Sequence, residues 1–272
     1  MQPVFITDLD GTLLGHDDFS FTPIRDDFLN LLDRGIQIIF NSSKTATEIR
    51  ALCDDLDVKL PFISENGAAL FNADLLVGDM LLADTAPSTM VLGTTVEDLM
   101  AAWVEAIDPA LRRHCTLLED MGPKAQQRVL GLAGRQLSRA LDRDFSVLFS
   151  FDGLQDAFAD LCSQAAFAGL SVHSGGRAHC LSGQHDKASF NTMIRQRCSA
   201  PSGKAVIIGF GDSQNDIALL SQADVACVLP RPRQPVLQLA DPPSEVITVS
   251  QPAPSGWVLA ASQALALLEQ QQ

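Results

Sequence analysis

Two carboxylates one residue apart, Asp8 and Asp10, follow a short β-branched and aromatic run in Asp8-Leu9-Asp10-Gly11-Thr12. In extended backbone that spacing points both side chains to one face. A solvated turn with a helix cap accounts for the same residues, because Asp-Gly pairs are frequent in turns. Three further clusters hold polar groups of matching kind. Asn41-Ser42-Ser43-Lys44 offers hydroxyls that can donate to a phosphoryl oxygen, or forms an ordinary polar loop. Asp186-Lys187 precedes a helical segment, and a lone Lys is usually a solvated surface charge. Gly209-Phe210-Gly211-Asp212-Ser213-Gln214-Asn215-Asp216 joins glycines, which allow close backbone approach, to acids that can hold a cation through hard oxygen ligands. Asp212 and Asp216 equally suit a helix N-terminus, where the dipole favours negative charge. Each cluster has a plain explanation alone. All four in this order do not.

The elements around these clusters alternate. Val4 to Thr7 reads as a strand, and Thr22 caps a helix with Pro23 in its first turn and Ile24, Phe28, Leu31 and Leu32 on one face. Gly35 ends that helix, and Ile36 to Phe40 is an uninterrupted apolar strand of the kind found in sheets covered on both faces. Thr45-Ala46-Thr47-Glu48 is a capping box opening a helix that buries Ile49, Leu52 and Leu56, and Phe62-Ile63 is the next strand. The rhythm returns late, with strands at Ala205 to Gly209, Val225 to Val228 and Val246 to Val249. Helices fall at Asp216 to Ala223 and Trp257 to Leu268. This βαβ series predicts a Rossmann-like α/β core with a parallel sheet. Open sheets of that kind bind ligands beyond the carboxyl ends of their strands, and the four clusters fall at such ends or in loops near them.

Between the two halves the pattern changes. Helices are expected at Thr95 to Ile107, Lys124 to Leu141 and Gly153 to Ala168, with strands at Phe145 to Phe151, Ser171 to His173 and Ala178 to Ser182. We read residues 85–185 as an inserted α/β domain and residues 1–84 with 186–272 as the core. The Pro-rich stretch from Pro230 to Pro243 reads as a surface loop.

Composition narrows the possible partners. Of 272 residues, 46% are apolar, enough for a substantial core. With 19 Lys and Arg against 33 Asp and Glu, the net charge of −14 opposes binding to phosphate backbones and anionic membranes. Anionic small molecules need a cation at the site. The six cysteines are scattered without a CxxC pair, which fits reduced thiols in a cytoplasmic protein rather than zinc or disulfides. No apolar stretch reaches the length of a membrane span.

The four clusters resemble the four motifs of the haloacid-dehalogenase superfamily of phosphotransferases. The position of the insert is similar to the branch with a large α/β cap. The chain is most similar to the mannosyl-3-phosphoglycerate phosphatases. They share Ser43-Lys44-Thr45 after the second strand, Glu65-Asn66-Gly67-Ala68 after the third, Gly175-Gly176-Arg177, and Gly183 to Lys187. In the cap, that family's Arg-Glu-Tyr-Ser-Glu-Pro stretch corresponds to Arg143-Asp144-Phe145-Ser146-Val147-Leu148, without the second Glu and the Pro.

The resemblance implies a Mg²⁺-dependent phosphatase acting on a small phosphorylated sugar or a glycosyl-phosphoglycerate. It implies Asp8 as nucleophile and Asp10 as general acid and base. Asp8, the Asp10 carbonyl and Asp212 become metal ligands, with Asp216 directly or through water, and Ser42 with Lys187 the phosphoryl-binding groups. The cap would select substrate, with Arg177 as first candidate for a carboxylate or phosphate clamp and Ser43, Lys44 and Arg143 beside it. For Arg177 an exposed turn position is the alternative, and for Glu65 to Gly67 a tight turn. A general sugar-phosphate phosphatase, a phosphomutase and a non-catalytic phosphosugar-binding protein are the competing readings. The last should lack Asp8, Asp10 or the late acids, and all are present.

Overall fold

The computed structural model describes residues 1–76, 87–175, 177–199 and 203–270. Its strands are β1 (Gln2–Thr7), β2 (Gln37–Asn41), β3 (Phe62–Ser64), β4 (Ala69–Phe71), β5 (Thr89–Val91), β6 (Cys115–Leu117), β7 (Ser146–Phe151), β8 (Ser171–Ser174), β9 (His179–Ser182), β10 (Ala205–Gly211), β11 (Val225–Val228) and β12 (Glu245–Thr248). They form an eight-stranded sheet in the order β12-β11-β10-β1-β2-β3-β4-β5 and a four-stranded sheet in the order β6-β7-β9-β8. Pairing is parallel from β12 through β3, as the βαβ rhythm requires. β4, absent from the sequence expectation, runs antiparallel to β3 after the turn at Glu65 to Gly67. The fold is α/β.

The chain divides into two compact units, residues 1–43, 57–90 and 186–272 in the first and 44–56 and 91–185 in the second. This division differs from the sequence boundaries at Lys44–Leu56. The helix Ala46–Leu56 is tied to the helix Gly134–Leu141 and the turn after it. The Thr45 hydroxyl donates to the Arg139 carbonyl at 2.8 Å, and that of Thr47 donates to Asp142 at 2.5 Å. The boundary expected near residue 84 lies outside the described residues.

In the first unit, β1 alternates between two layers. Val4 and Ile6 pack with Ile39, Ile63, Ile207 and the Phe190 and Ile194 side chains. Phe5 and Thr7 face Trp257 of the helix Ser255–Gln270, because successive side chains in a strand point to opposite faces. Trp257 is fully buried among Phe5, Phe28 and Phe210, with ring centroids 5.3–6.2 Å apart. Its indole N–H donates to Thr7 Oγ1 at 3.0 Å, so the one polar atom of the ring is satisfied.

Local signals were decided by local chemistry. The Thr45 capping box forms in both directions, with Thr45 N donating to Glu48 and Glu48 N to the Thr45 hydroxyl. Gly35 ends the first helix at φ +78°. Thr22 does not cap it: a short 3₁₀ turn, Thr22–Ile24, precedes Arg25–Asp33, and no side chain caps either. β10 extends to Gly211, two residues further than expected.

In the second unit, helices Val96–Ala106 and Gln155–Phe167 cover one face of the small sheet, with Trp103, Leu99 and Leu161 against Val147, Phe149 and Leu181. The single helix expected over Lys124 to Leu141 is two, Pro123–Leu130 and Gly134–Leu141, broken where Gly131 adopts φ +64°. No helix among the described residues is long and apolar enough to cross a membrane.

Trp257→Ala removes the largest buried side chain beneath β1 and leaves a cavity that rigid strands cannot close. A loss of about 3–5 kcal/mol is expected, measurable by urea unfolding monitored by circular dichroism.

Candidate active site

Asp8 follows β1 directly and Asp212 follows β10 directly. These strands are parallel neighbours, with Thr7 beside Phe210, so strand pairing alone sets the two carboxylates side by side. Asp216 joins them from a 3₁₀ turn, Gln214–Asp216, that opens the helix after β10. Carboxylate oxygens of Asp8, Asp212 and Asp216 lie within 4.8 Å of one another, and all three residues are buried. Gly211 permits this crowding: a Cβ there would lie 2.4 Å from the Asp216 Cβ.

Lys187 completes the cluster. Its side chain is fully buried, and Nζ donates to Asp8 Oδ1 at 2.5 Å and to Asp216 Oδ1 at 2.6 Å. The second oxygen of Asp216 accepts from Asp212 N, Ser213 N and the Ser213 hydroxyl at 2.9–3.1 Å. The Thr12 hydroxyl donates to Asp212 Oδ1 at 3.1 Å, and Arg231 Nε forms an ion pair 3.2 Å from Oδ2 without a hydrogen bond.

Backbone anchors fix the lysine. Asn41 Nδ2 donates to the Lys187 carbonyl at 2.7 Å from the end of β2. Gly67, at φ +102°, lies against the preceding residue so closely that a Cβ would sit 1.8 Å from the Asp186 carbonyl oxygen. The Glu65-Asn66-Gly67 segment is therefore a tight turn, with Glu65 and Asn66 also at positive φ. It also has a positioning role, because Asn215 Nδ2 donates to Asn66 Oδ1 at 3.1 Å and links the turn to the acidic loop.

Of the residues expected from sequence, the fold brings Asp8, Lys187, Asp212 and Asp216 into contact. Ser42 is buried at the end of β2, its N–H on Ile63 and its carbonyl accepting from Asn66 N. Asp10 is half-buried and bridges to Leu14. Ser43 is exposed, and Lys44 lies 4.0 Å from Glu48 on the next turn. Arg143 and Arg177 belong to the second unit. Arg143 donates to the Ala140 carbonyl and to the Ser146 hydroxyl, and lines a cavity of about 230 Å³ with Glu119, Gln126 and Ser146. The Arg177 guanidinium donates to the Leu130 carbonyl, at the end of the helix Pro123–Leu130. Gly176 lies outside the described residues.

Sequence reasoning missed Arg231, Thr12, Asn41, Asn66 and Asn215 as members of the site. Thr12, Asn41, Asn66 and Asn215 all stood inside segments already marked, without a role of their own. Arg231 carried no signal, because it lies in the Pro-rich stretch read as a surface loop. Part of that stretch packs inward, with Val236, Leu237 and Leu239 against Leu220, Ala226 and Val228.

Electrostatics follow from burial. Burial raises Asp8; Lys187 pulls it down, Asp216 and Asp212 push it further up, and the carboxyl ends at about 8. Burial and the Asp216 charge raise Asp212 to about 6, against Arg231 and Lys187. Burial alone would lower Lys187, but the charges of Asp216 and Asp8 outweigh it and hold the ammonium above its ordinary value. Three carboxylates face two cations, so the cluster in full ionisation carries an excess negative charge. Hard oxygen donors with surplus charge suit a divalent cation such as Mg²⁺.

Residues 5–91 match the family of haloacid dehalogenase-like hydrolases. The chain is 27% identical over 242 residues to the glucosyl-3-phosphoglycerate/mannosyl-3-phosphoglycerate phosphatase of Methanococcoides burtonii, covering 85% of this chain and 86% of that one. Its likeness to the enzyme of the same name from Persephonella marina is 27% over 261 residues, 93% and 94% of the two chains. Among solved structures, a phosphatase of the haloalkanoate superfamily from Bacteroides thetaiotaomicron shares the fold with TM-score 0.63 and 18% identity, over 97% of this chain and 95% of that one. The match over residues 5–91 and the likeness to these relatives set the chain beside the haloacid dehalogenase-like hydrolases. Within that class the chain is a phosphatase, a hydrolase of phosphoric monoesters.

Without a bound cation, Asp8 and Asp212 hold protons more tightly folded than unfolded, since both rise from 3.8. The stability this contributes is complete below the unfolded value and is lost as pH climbs through about 6 for Asp212 and about 8 for Asp8. Thermal melts in EDTA between about pH 5 and pH 8.5 are expected to show a falling Tm, and Asp8→Asn to flatten the upper part of the curve.

Proposed function

We propose that this chain hydrolyses the phosphate ester of a glycosyl-phosphoglycerate, mannosyl-3-phosphoglycerate or its glucosyl counterpart, through an aspartyl-phosphate on Asp8. The observation that carries the reaction is the buried Asp8 carboxylate, hydrogen-bonded to Lys187 at 2.5 Å beside Asp212 and Asp216. The substrate reading is supported by the two relatives' names and by the shared Ser43-Lys44-Thr45 and Glu65-Asn66-Gly67-Ala68 segments. The proposed setting is the cytoplasm, in keeping with six scattered cysteines that form no CxxC pair.

Phosphate monoesters hydrolyse so slowly that about 20 kcal/mol or more of transition-state stabilisation is required, and no single residue supplies it. One oxygen of Asp8 attacks phosphorus in line with the departing glycerate oxygen. The P–O bond to that oxygen breaks as Asp10 protonates it. Asp10, now a carboxylate, takes a proton from water as that water attacks phosphorus. Asp8 leaves with its electron pair, and inorganic phosphate is released. Lys187 holds the attacking carboxylate in place, and the Ser42 hydroxyl binds an equatorial phosphoryl oxygen. Asp8, Asp212 and Asp216 would hold Mg²⁺, with the Asp10 carbonyl, and the bound ion offsets the repulsion between carboxylate and phosphoryl group. Residues 85–185 are assigned substrate selection through Arg177 and Arg143, with Ser43 and Lys44 as further contacts from the loop after β2.

A second reading, a broader sugar-phosphate phosphatase, is favoured by Val147 and Leu148, which stand where the family stretch has Glu and Pro. Val147 and Leu148 line the same cavity as Arg143 and offer it apolar surface instead.

Asp8→Asn keeps shape but removes the nucleophile; kcat is expected to fall by more than about 10³-fold, with no phosphoenzyme trapped by acid quench. Asp10→Asn removes proton transfer, a loss of about 10²–10⁴ that shrinks for nitrophenyl phosphate, whose leaving group needs no proton. Near-normal turnover by Asp8→Asn would refute the assignment.

A panel of phosphorylated sugars, assayed for released phosphate with Mg²⁺ and with EDTA, tests substrate and cation together. The highest kcat/KM is expected on the glycosyl-phosphoglycerates, with turnover abolished by EDTA. Arg143→Ala is expected to raise KM about 10-fold on these substrates, leaving hexose phosphates unaffected. Equal turnover of simple hexose phosphates by the unmodified chain would favour the broader reading.

A further inference from the structure

We infer that Arg231 is a positioning residue that sets the balance of the Asp8–Asp212–Asp216 cluster between a divalent cation and a phosphoryl anion. The inference rests on the cation reading above and adds a residue that lies outside all four motifs.

The backbone delivers it. Leu229 N donates to the Gly211 carbonyl at 2.9 Å, which ties the chain leaving β11 to the end of β10. Two residues later the Arg231 side chain reaches Asp212, placing Nε 3.2 Å from Oδ2. Thr12 holds the other oxygen of the same carboxylate. Asp212 is therefore hydrogen-bonded by a neutral donor on one oxygen and faced on the other by a cation whose Nε makes no hydrogen bond. The Asp212 side chain is 2% exposed and that of Arg231 31%, so the guanidinium bridges the buried cluster and solvent. Its far end lies 3.4 Å from His16 Nε2, and His16 Nδ1 is 3.0 Å from Asp17.

A guanidinium cannot be deprotonated in a protein, so this positive charge is constant. It competes with a divalent cation for Oδ2 and repels it, and it attracts a phosphoryl dianion. Two of the three Lys187 donors are committed to Asp8 and Asp216, so Arg231 adds a second cation at the cluster for an arriving anion. Arg231 thus weakens cation binding and strengthens anion binding at one site. Loss of a purely structural contact would weaken both.

The test is isothermal titration of MgCl₂ into EDTA-stripped protein, paired with inhibition by inorganic phosphate at saturating Mg²⁺. Relative to the unmodified chain, Arg231→Gln is expected to bind Mg²⁺ about 5-fold more tightly and phosphate about 5-fold more weakly. Arg231→Lys, which restores the charge, should stay near the unmodified values. Arg231→Met is a second neutral variant, and the same pair of opposite shifts is expected. Unchanged Mg²⁺ affinity in both neutral variants, or weakening of Mg²⁺ and phosphate together, overturns the inference. If the unmodified chain binds no Mg²⁺, the cation reading itself fails, an outcome distinct from the variants merely matching it.

Discussion

A fully buried ammonium held between two buried carboxylates is the interaction on which the first unit is organised. Removing a lysine from water costs several kcal/mol, and the cost is met only when its protons find charged acceptors in good geometry. Lys187 finds them in Asp8 and Asp216. Each acceptor comes from a different part of the chain, so the charge pairing also locks the topology. Asp8 arrives with β1, Asp216 with the turn after β10, and Lys187 with the segment that returns from the second unit. Had any of these been displaced, an unpaired charge would be left in a dry interior.

That requirement explains the backbone around it. Where side chains must converge, the chain gives up Cβ atoms. Gly211 clears the Asp216 side chain, and Gly67 clears the Asp186 carbonyl. Asn41 and Asn66 are polar residues at strand ends, and both are used to hold main chain or side chain rather than to face solvent. On the opposite layer Trp257 supports β1 from below, and its N–H meets Thr7, the residue before Asp8. A packing contact and a reacting group are thus one residue apart.

The same cluster carries a conflict between folding and chemistry. Burial and mutual repulsion raise Asp8 and Asp212, so the cation-free protein holds carboxylates that prefer protons. A nucleophile must be ionised, and two fixed cations only partly compensate three acids. Lys187 and Arg231 divide the compensation: one is enclosed and committed to two acceptors, the other sits at the edge on a third. Active sites commonly keep such unfavourable charge arrangements because the reaction uses them.

The amino-acid sequence alone determined most strands, most helices and the four motifs at or near strand ends, because apolar periodicity, glycine stops and the Thr45–Glu48 capping box are set by near neighbours in the chain. It placed Asp8, Lys187, Asp212 and Asp216 on the correct loops for the same reason. It could not decide that Asp8 and Lys187, 179 residues apart, share a hydrogen bond. That follows from Asn41 at the end of β2 and Gly67 holding the Lys187 segment next to β1, and strand order is a property of how layers pack. Arg231 shows the limit most sharply. Its surroundings in the chain are prolines and exposed polar residues, and only the pairing of β11 with β10 carries it to Asp212. A charge in a loop has no periodicity to reveal its partner, since a side-chain contact depends on distance in space and the local pattern encodes only distance along the chain.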